Sequence, residues 1–484
     1  MKSTRCAPAV ASGALVLLSL LGGCASLQRP ATPATPLPVP ERWTATAAQP
    51  SAAASPAALA DWWQRLGDAT LNDLERRALA QATDIQVAEA RLAQARSARD
   101  LAAAALRPAV GSSASVQAGK AEGAPLTRQY RAGFDAAWEA DLWGRNRAGV
   151  SAAEADLHAS VATLGQAQVS LAGEVAAGYI DLRNGQARLA LTREALASQE
   201  HMLRITQWRA EAGLVSGLDV EQQRTTVAQT RAQIPALQGA IEQSMNALAV
   251  LTGAAPGTVH AQLATAAPLP SVPADLALAF PAAVLSQRAD VAAAEARVRA
   301  ALARIDAADA QRLPSLNLSG TIGLSALSAA ALAPGTGVAT LLAAVDWPLY
   351  DGGRVRAQVR SQEAAFDEAR ANHRAAVLAA LKEVEDALVA LRTAREQQAG
   401  QQLAAESARR AAQLAEQRYA AGLSDITGVL LAQRTLLAAE DALAGTAASV
   451  LTQHVRLYKA LGGGWSPSAH ASAAAAANDR SPPR

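Results

Sequence analysis

The sequence predicts a mainly α-helical, internally duplicated chain in which four β-strands of membrane-spanning length interrupt long helices. Three observations lead to this fold class. Half of the 484 residues are apolar but only 3% are aromatic, so strong helix formers, alanine above all, dominate the composition. The chain repeats itself at a nearly fixed spacing, and each copy contains a segment in which apolar and polar residues alternate.

The first 24 residues are predicted to be a targeting signal. Lys2 and Arg5 give it a positive start, and its apolar stretch, 9–21, is too short to span a bilayer as a resident helix. The stretch ends in Leu21-Gly22-Gly23-Cys24, which resembles the lipobox of bacterial lipoproteins. That resemblance implies a covalent lipid on Cys24, and the absence of aspartate directly after it favours the outer membrane. The alternative is a chance cysteine in an ordinary secretory signal.

Two low-complexity segments flank the predicted body. Residues 25–60 are rich in Pro and Ala and are expected to form an extended tether, and residues 466–484 are expected to be a disordered tail. Because Cys6 lies in the signal, one cysteine remains in the mature chain and no internal disulfide can form.

The body is an internal repeat. Asp84 recurs as Asp290 at an offset of 206, and Trp138 recurs as Trp347 at an offset of 209. Each copy is expected to run helix, β-hairpin, very long helix, tight turn, helix. The predicted first repeat is 61–265, with a hairpin at 109–141 and a tip at 210–218; the second is 266–465, with a hairpin at 314–350 and a tip at 420–427.

The strand prediction rests on a two-residue period. Alternation is strict from 129 to 140, and 316–325 alternates in the same way, with weaker partner strands near 110–120 and 338–349. The uncharged stretch 313–345 is interrupted by Pro and Gly and lacks a helical period, so a transmembrane helix is rejected. Strands of about ten alternating residues are typical of membrane β-barrels. Soluble amphipathic hairpins are the alternative.

Two helices of unusual length are expected, near 144–209 and 353–419, with Asp351 placed to cap the second. At 1.5 Å per residue each would extend roughly 100 Å. Heptad spacing predicts a seam against neighbouring helices, at Val175, Leu182, Leu189, Leu196 and Leu203 and at Val377, Leu381, Val384, Leu388 and Leu391. A free-standing coiled-coil rod would not explain the hairpins.

Four strands cannot close a barrel, and open sheet edges are not tolerated in lipid. Two chains would give eight strands, whose interior is filled by side chains, whereas three chains would give twelve and a water-filled duct. A homotrimer is therefore the smallest predicted assembly that conducts.

Five segments in this order resemble the TolC family of outer-membrane efflux factors, in the lipoprotein branch that serves resistance–nodulation–division pumps. They are FDAAWEADLWGR (134–145), AGLVSGLDV (212–220), WPLYDGGRVRAQV (347–359), EVEDALVALR (383–392) and LYKALGGGW (457–465). The resemblance implies a trimer with a twelve-stranded barrel in the outer membrane and a helical barrel extending through the periplasm. It also implies a periplasmic adaptor and an inner-membrane transporter as partners, with the transporter supplying the energy.

The resemblance assigns roles to the two tips. It implies adaptor docking at a first set, Gly213, Leu214, Val215 and Ser216, and a second set, Gly422, Leu423 and Ser424. The alternative is that these are ordinary turns between helices.

Other roles are weaker expectations. A ring of Asp425 side chains in a trimer could gate the periplasmic end, with a simple helix cap as the rival role and Asp219 as a second candidate. The family often has aspartate where this chain has Leu431, so a gate contact that needs that aspartate is in doubt. Trp138 and Trp347 fit a membrane-interface belt or plain packing.

Other classes of function fit the sequence less well. Six scattered His and no nucleophile or phosphate-binding motif argue against an enzyme, a metal site or a cofactor other than the lipid. With 44 basic and 42 acidic residues and no basic block, nothing predicts nucleic-acid binding. The predicted function is the passive outer-membrane channel of a multidrug-type tripartite efflux pump. Alternatives are a type I secretion or metal-export duct of the same family, or a periplasmic coiled-coil structural lipoprotein.

Overall fold

The structure is a computed structural model that describes residues 40–44, 59–120, 122–123, 125–272 and 281–465. The signal with Cys24, most of the tether and the tail at 466–484 lie outside these residues. The predictions made for them are therefore not addressed by the structure.

The first repeat runs from two short helices through a hairpin into a helical pair. After a 3₁₀ turn at Trp62–Leu66, its elements are α1 (Ala69–Gln81), α2 (Thr83–Ala104), β1 (Ala109–Gly119), β2 (Thr127–Ala140), α3 (Arg145–Glu211) and α4 (Gly217–Leu251). A short α5 (His260–Leu263) follows in the connection to the second repeat.

The second repeat has the same order. Its elements are α6 (Pro281–Gln287), α7 (Ala289–Asp309), β3 (Ser315–Ala326), β4 (Thr336–Asp346), α8 (Arg354–Ala420) and α9 (Ile426–Ala460). Helices α3 and α8 are both 67 residues long, and α4 and α9 are both 35. The predicted duplication and the predicted combination of long helices with four strands are confirmed. Within the described residues, no helix has the length and apolar character that crossing a bilayer requires.

The long helices start in the same way in both repeats. Gly144 and Gly353 precede them with φ of 79° and 88°, a backbone conformation that glycine adopts without strain. Asp351 accepts hydrogen bonds from the N–H groups of Val355 (2.8 Å) and Gly353 (2.9 Å). These bonds lower the pKa of the Asp351 carboxyl. Asp351 thus caps α8 from two residues before the N-cap position.

One strand boundary differs from the sequence prediction. Strand β4 ends at Asp346, not near residue 349, so Trp347 lies beyond the strand. Pro348 follows directly and has no N–H to donate to a strand ladder, and Gly352 and Gly353 then turn the chain into α8.

The hydrophobic core lies around the middle of the molecule, where α3 is flanked by α1, α2, α4, α7 and α9. Trp62 stacks on Tyr458 with ring centroids 5.3 Å apart, and both side chains are buried. The heptad positions there are buried, Val175 and Leu182 completely. Towards the tip, Leu196 and Leu203 are only half-buried within one chain.

An arginine holds three helices of the second repeat together. Arg288, just before α7, pairs with Asp290 (2.6 Å) and with Glu383 of α8 (2.7 Å), and donates to the carbonyl of Ala460 at the end of α9 (2.8 Å). Three helices thereby meet at one buried guanidinium, whose charge is matched by two carboxylates.

Candidate functional site: the sheet and the two helix tips

The four strands form one antiparallel sheet in the order β1-β2-β3-β4. The register is continuous: Gly111 lies opposite Asp135, Asp135 opposite Thr321, and Thr321 opposite Thr340. The next row joins Phe134, Ile322 and Ala339. Because successive residues of a strand point to opposite faces, this register sorts the side chains into two faces.

One face, called the apolar face, carries the bulky hydrophobic side chains. Its members include Val110, Val116, Tyr130, Phe134, Trp138, Leu316, Leu318, Ile322, Leu324, Leu341 and Val345. Phe134 and Ile322 sit side by side in the middle of the sheet and are exposed within one chain. A contiguous exposed apolar surface of this kind needs a non-aqueous neighbour.

The opposite face, called the polar face, is built mainly from hydroxyl, amide and charged groups. Its members include Ser113, Ser115, Gln117, Gln129, Arg131, Asp135, Glu139, Asn317, Ser319, Thr321, Ser325, Thr336 and Thr340, with Val338 and Leu342 as apolar exceptions. Gln129 donates to Ser325 across the β2–β3 pair (3.2 Å). The sheet thus separates an apolar side from a wettable one.

Two glycines allow β2 and β3 to approach each other closely. Gly133 and Gly323 lie opposite each other on the polar face. A Cβ on Gly133 would lie 2.5 Å from the carbonyl oxygen of Ile322 and 2.8 Å from the Cα of Gly323, and a Cβ on Gly323 would meet the other strand equally closely. The two backbones approach too closely for a side chain at either position, so only glycine fits at this contact between β2 and β3.

The outer strands leave the sheet open. Within the described part of the chain, β1 and β4 each pair on one side only. Their free N–H and C=O groups require further strands if the apolar face is to lie in lipid.

Tryptophans attach the sheet to the helices. The indole N–H of Trp138 donates to the carbonyl of Leu106 (3.1 Å), and that of Trp347 donates to the carbonyl of Arg312 (3.2 Å). Leu106 and Arg312 are themselves 206 residues apart, so the contact is duplicated. Trp138 is half-buried, whereas Trp347 is 56% exposed.

The first tip joins α3 to α4. Gly213 has φ of 72°, and the N–H of Leu214 donates back to the carbonyl of Arg209 (2.8 Å), which ends α3. The Asp219 carboxylate accepts from the N–H of Ser216 (2.9 Å), and the Ser216 hydroxyl accepts from the N–H of Asp219 (3.3 Å). This reciprocal capping box starts α4. Val215, between them, is half-buried.

The second tip joins α8 to α9 on the same backbone plan. Gly422 has φ of 73°, and the N–H of Leu423 donates to the carbonyl of Arg418 (2.8 Å). The exposed Asp425 is the N-cap of α9 and accepts from the N–H of Gly428 (3.3 Å). Ser424, before it, is half-buried.

The tips also present apolar side chains to solvent. Leu214 and Leu423 are 71% and 70% exposed, so the duplicated leucines point outward in this chain. Trp208 and Leu218 of the first tip are also exposed, at 64% and 66%. Neither was singled out in the sequence.

A contact between the two tips was missed by the sequence analysis. The guanidinium carbon of Arg209 lies 4.5 Å from the centre of the Tyr419 ring, and Arg209 donates to the carbonyls of Tyr419 (3.0 Å) and Ala420 (3.1 Å). The buried Thr206 hydroxyl lies 3.5 Å from the Tyr419 hydroxyl. These contacts, called the tip clasp, hold the end of α3 to the end of α8. Heptad spacing gives no signal for them, because it does not say which helices are neighbours.

Metal-ligating side chains are dispersed. Among the residues that the structure describes, His, Cys, Asp and Glu do not form a group of three or more that could hold a metal ion.

Comparison with known proteins places this architecture among outer-membrane proteins. The family described as outer membrane efflux protein matches residues 74–254 and 280–463. The chain is 32% identical over 462 residues to the pyoverdine export outer membrane protein OpmQ of Pseudomonas aeruginosa, covering 92% of this chain and 95% of that one. It is 33% identical to the toluene efflux pump outer membrane protein TtgC of Pseudomonas putida, covering 92% and 94%. The solved outer-membrane channel OprN superposes with a TM-score of 0.83 at 33% identity, covering 90% of this chain and 98% of that chain.

Proposed function

This chain belongs to the outer membrane efflux protein family, and from that premise we propose that it conducts small toxic molecules passively to the cell exterior. It is the outer-membrane channel component of a tripartite efflux pump and extends into the periplasm. Channels of this family are trimers, so three four-stranded sheets make a barrel of twelve strands.

The two-faced sheet with both edges open is the observation that carries the proposal. Its apolar face suits lipid and its polar face suits water, so in a closed barrel the polar face lines the inside. The sheet continues into helices of 67 residues, which extend about 100 Å. Barrel and helices together form a path from the periplasm to the outside.

The proposed role is passive. Members of the family are channel proteins, and we assign this chain no catalysed reaction and no cofactor beyond a covalent lipid. An inner-membrane resistance–nodulation–division transporter supplies the energy, and a periplasmic adaptor connects it to this channel.

The two tips are proposed as the place where the adaptor docks and where the periplasmic end of the channel opens. We assign adaptor docking to the two exposed leucine turns at 213–216 and 422–424. Splaying the helix pairs requires the tip clasp to break, since Arg209 joins α3 to α8. In a trimer, Asp425 and Asp219 are the gate candidates, although each already caps a helix.

Two further roles concern the membrane. Acylation of Cys24 would anchor the mature N-terminus, and Trp138 and Trp347 would lie at the level of the lipid headgroups. Replacing Cys24 with Ser should abolish incorporation of labelled palmitate. Unchanged labelling would refute the anchor.

The cargo is proposed to be chosen upstream of this channel. Relatives of nearly equal identity are named for pyoverdine and for toluene, which fits a duct that discriminates little. Type I secretion and metal export are the competing proposals for what the channel carries.

A deletion strain separates these possibilities. Loss of the gene should lower tolerance to several drugs, dyes or solvents, and the wild-type chain should restore it. Unchanged tolerance to all of these compounds would contradict the efflux proposal. A selective loss of one secreted protein, or sensitivity to metal salts alone, would support a rival.

A further inference from the structure

Asp135 lies midway along β2 on the polar face, between two other charged residues. Arg131 lies four residues nearer the hairpin turn, and Glu139 four residues nearer the helices. At about 3.4 Å per residue, these steps are roughly 14 Å each. Glu139 lies 3.7 Å from the guanidinium of Arg145, so its charge is partly compensated.

Neutral donors hold the Asp135 carboxylate in place. The Ser113 hydroxyl on β1 donates to one oxygen (2.5 Å), and the Thr321 hydroxyl on β3 donates to the other (2.9 Å). These hydroxyls orient the carboxylate from both neighbouring strands without cancelling its charge. The sequences of β1 (109–119) and β3 (315–326) contain no charged residue.

The two-faced sheet directs this carboxylate inward, because the apolar face has to lie towards lipid and the polar face towards the lumen. Gly133 and Gly323, one step away on the same face, carry no side chain that could cover the carboxylate. Phe134 and Ile322 in the adjacent row occupy the other face.

We propose that Asp135 sets the charge selectivity of the barrel section of the channel. Three copies in the trimer form a ring of oriented carboxylates on the inner wall, which concentrates cations and cationic cargo and repels anions. This inference rests on the proposed function, because the ring exists only in a closed trimeric barrel.

The ring of Asp135 carboxylates should influence charge selectivity only at low ionic strength. The screening length is about 30 Å at 0.01 M salt and about 3 Å at 1 M. Charge selectivity arising from Asp135 therefore has a defined ionic-strength dependence.

A cysteine placed in the barrel reports the local concentration of charged reagents there, so the result does not depend on the selectivity of the periplasmic end. Thr340 lies in the same row as Asp135, so Thr340→Cys puts a thiol on the inner wall, whereas Ala339→Cys puts one on the apolar face. Trimers in lipid vesicles are treated with a cationic or an anionic methanethiosulfonate, and chain without either reporter gives the background. The measurement is the ratio of the cationic to the anionic reaction rate.

With the Thr340→Cys reporter at 0.01 M salt, Asp135→Asn should lower this ratio on the order of fivefold, and the difference should nearly vanish at 1 M. Asparagine keeps the size and an accepting oxygen, so the hydroxyl contacts can persist. The matched variant Arg131→Gln should raise the ratio.

Two outcomes would overturn the inference while leaving the channel intact. One is an unchanged ratio in Asp135→Asn trimers. The other is a reactive Ala339 thiol beside an unreactive Thr340 thiol, which would place Asp135 on the wrong side. Failure of the mature wild-type chain to form trimers at all would instead refute the proposed function.

Discussion

The two tips of the molecule share one backbone and differ in surface. Gly213 and Gly422 have the same conformation, and the leucine after each is equally exposed. At the 209-residue offset, however, Trp208 becomes Gln417 and Leu218 becomes Thr427. The turn has been retained in both repeats while the side chains around it have diverged. The reversal of the chain requires only the shared turn, and the diverged side chains around it are the ones that we expect a neighbouring molecule to distinguish.

The largest expected effect concerns adaptor docking at the first tip. Exposed aromatic side chains are common energetic anchors of interfaces, and truncating one that becomes buried costs about 2 kcal/mol or more, roughly 30-fold in affinity. Trp208→Ala should therefore weaken adaptor binding far more than Gln417→Ala at the equivalent position. Binding of purified adaptor to detergent-solubilised trimers measures this. Equal losses at both tips would remove the proposed asymmetry.

The second prediction concerns the tip clasp. Arg209→Ala removes the contact with the Tyr419 ring and two hydrogen bonds to carbonyls, a loss of about 1–2 kcal/mol that favours splayed tips. Resting conductance in planar bilayers should rise. Arg418→Ala, at the equivalent and exposed position of the second repeat, is the control and should leave conductance low. A rise in both variants would show that the clasp is not specific.

The third prediction concerns a buried histidine of the second repeat, which should make the stability of the protein sensitive to acid. His454 and Met245 occupy equivalent buried positions. Burial lowers the pKa of His454, whose Nδ1 bonds the carbonyl of Val450 (2.8 Å) and whose Nε2 lies 3.0 Å from Arg395. The folded state therefore favours the neutral ring. The contribution of His454 to the free energy of unfolding is complete above the pKa of the unfolded chain, about 6.5. It falls as the pH drops below that value, by at most about 1.4 kcal/mol per pH unit.

The matched variant is His454→Met, which copies the first repeat. Thermal unfolding of the trimer between pH 7.5 and pH 5 should show a smaller acid-induced shift in this variant than in the wild type. Identical shifts would rule out His454 as a source of acid sensitivity.

The smallest expected effect distinguishes the two helix caps. Asp219 takes part in a reciprocal box, whereas Asp425 accepts one longer bond. Asp425→Ala removes the N-cap side chain and should cost about 1 kcal/mol of stability. Asp219→Ala should cost less, because the backbone N–H of residue 219 still donates to the Ser216 hydroxyl. Chemical unfolding gives both values.

Asp425→Asn then tests the gate assignment. Asparagine caps helices as well as aspartate does, so stability should hold while the charge is lost. Reduced cation selectivity at low salt would support a gate role. Unchanged conductance and selectivity would leave Asp425 as a cap.

Much of the fold could be predicted because the repeat preserves identities at a fixed offset. The strands were visible because alternation survives at 129–140 and 316–325. Contacts such as Arg209 with Tyr419, or Arg288 with Ala460, join residues 210 and 172 positions apart, and helical periodicity does not encode which helices meet. The Gly133–Gly323 approach was likewise invisible, since it depends on the pairing of β2 with β3.

The heptad prediction was correct in the core and incomplete near the tips. Leu196 and Leu203 continue the seam in sequence, yet one chain buries them only halfway. A single chain has too few helices there to cover both sides of α3. The oligomer would supply the missing contacts.

The most direct test of the account is the oligomeric state and conductance of the purified mature protein. Light scattering in detergent should give three chains per particle, and the same particles should form ion-conducting channels in planar bilayers. A detergent-solubilised monomer that conducts nothing would contradict the claim that the open sheet edges are sealed between subunits.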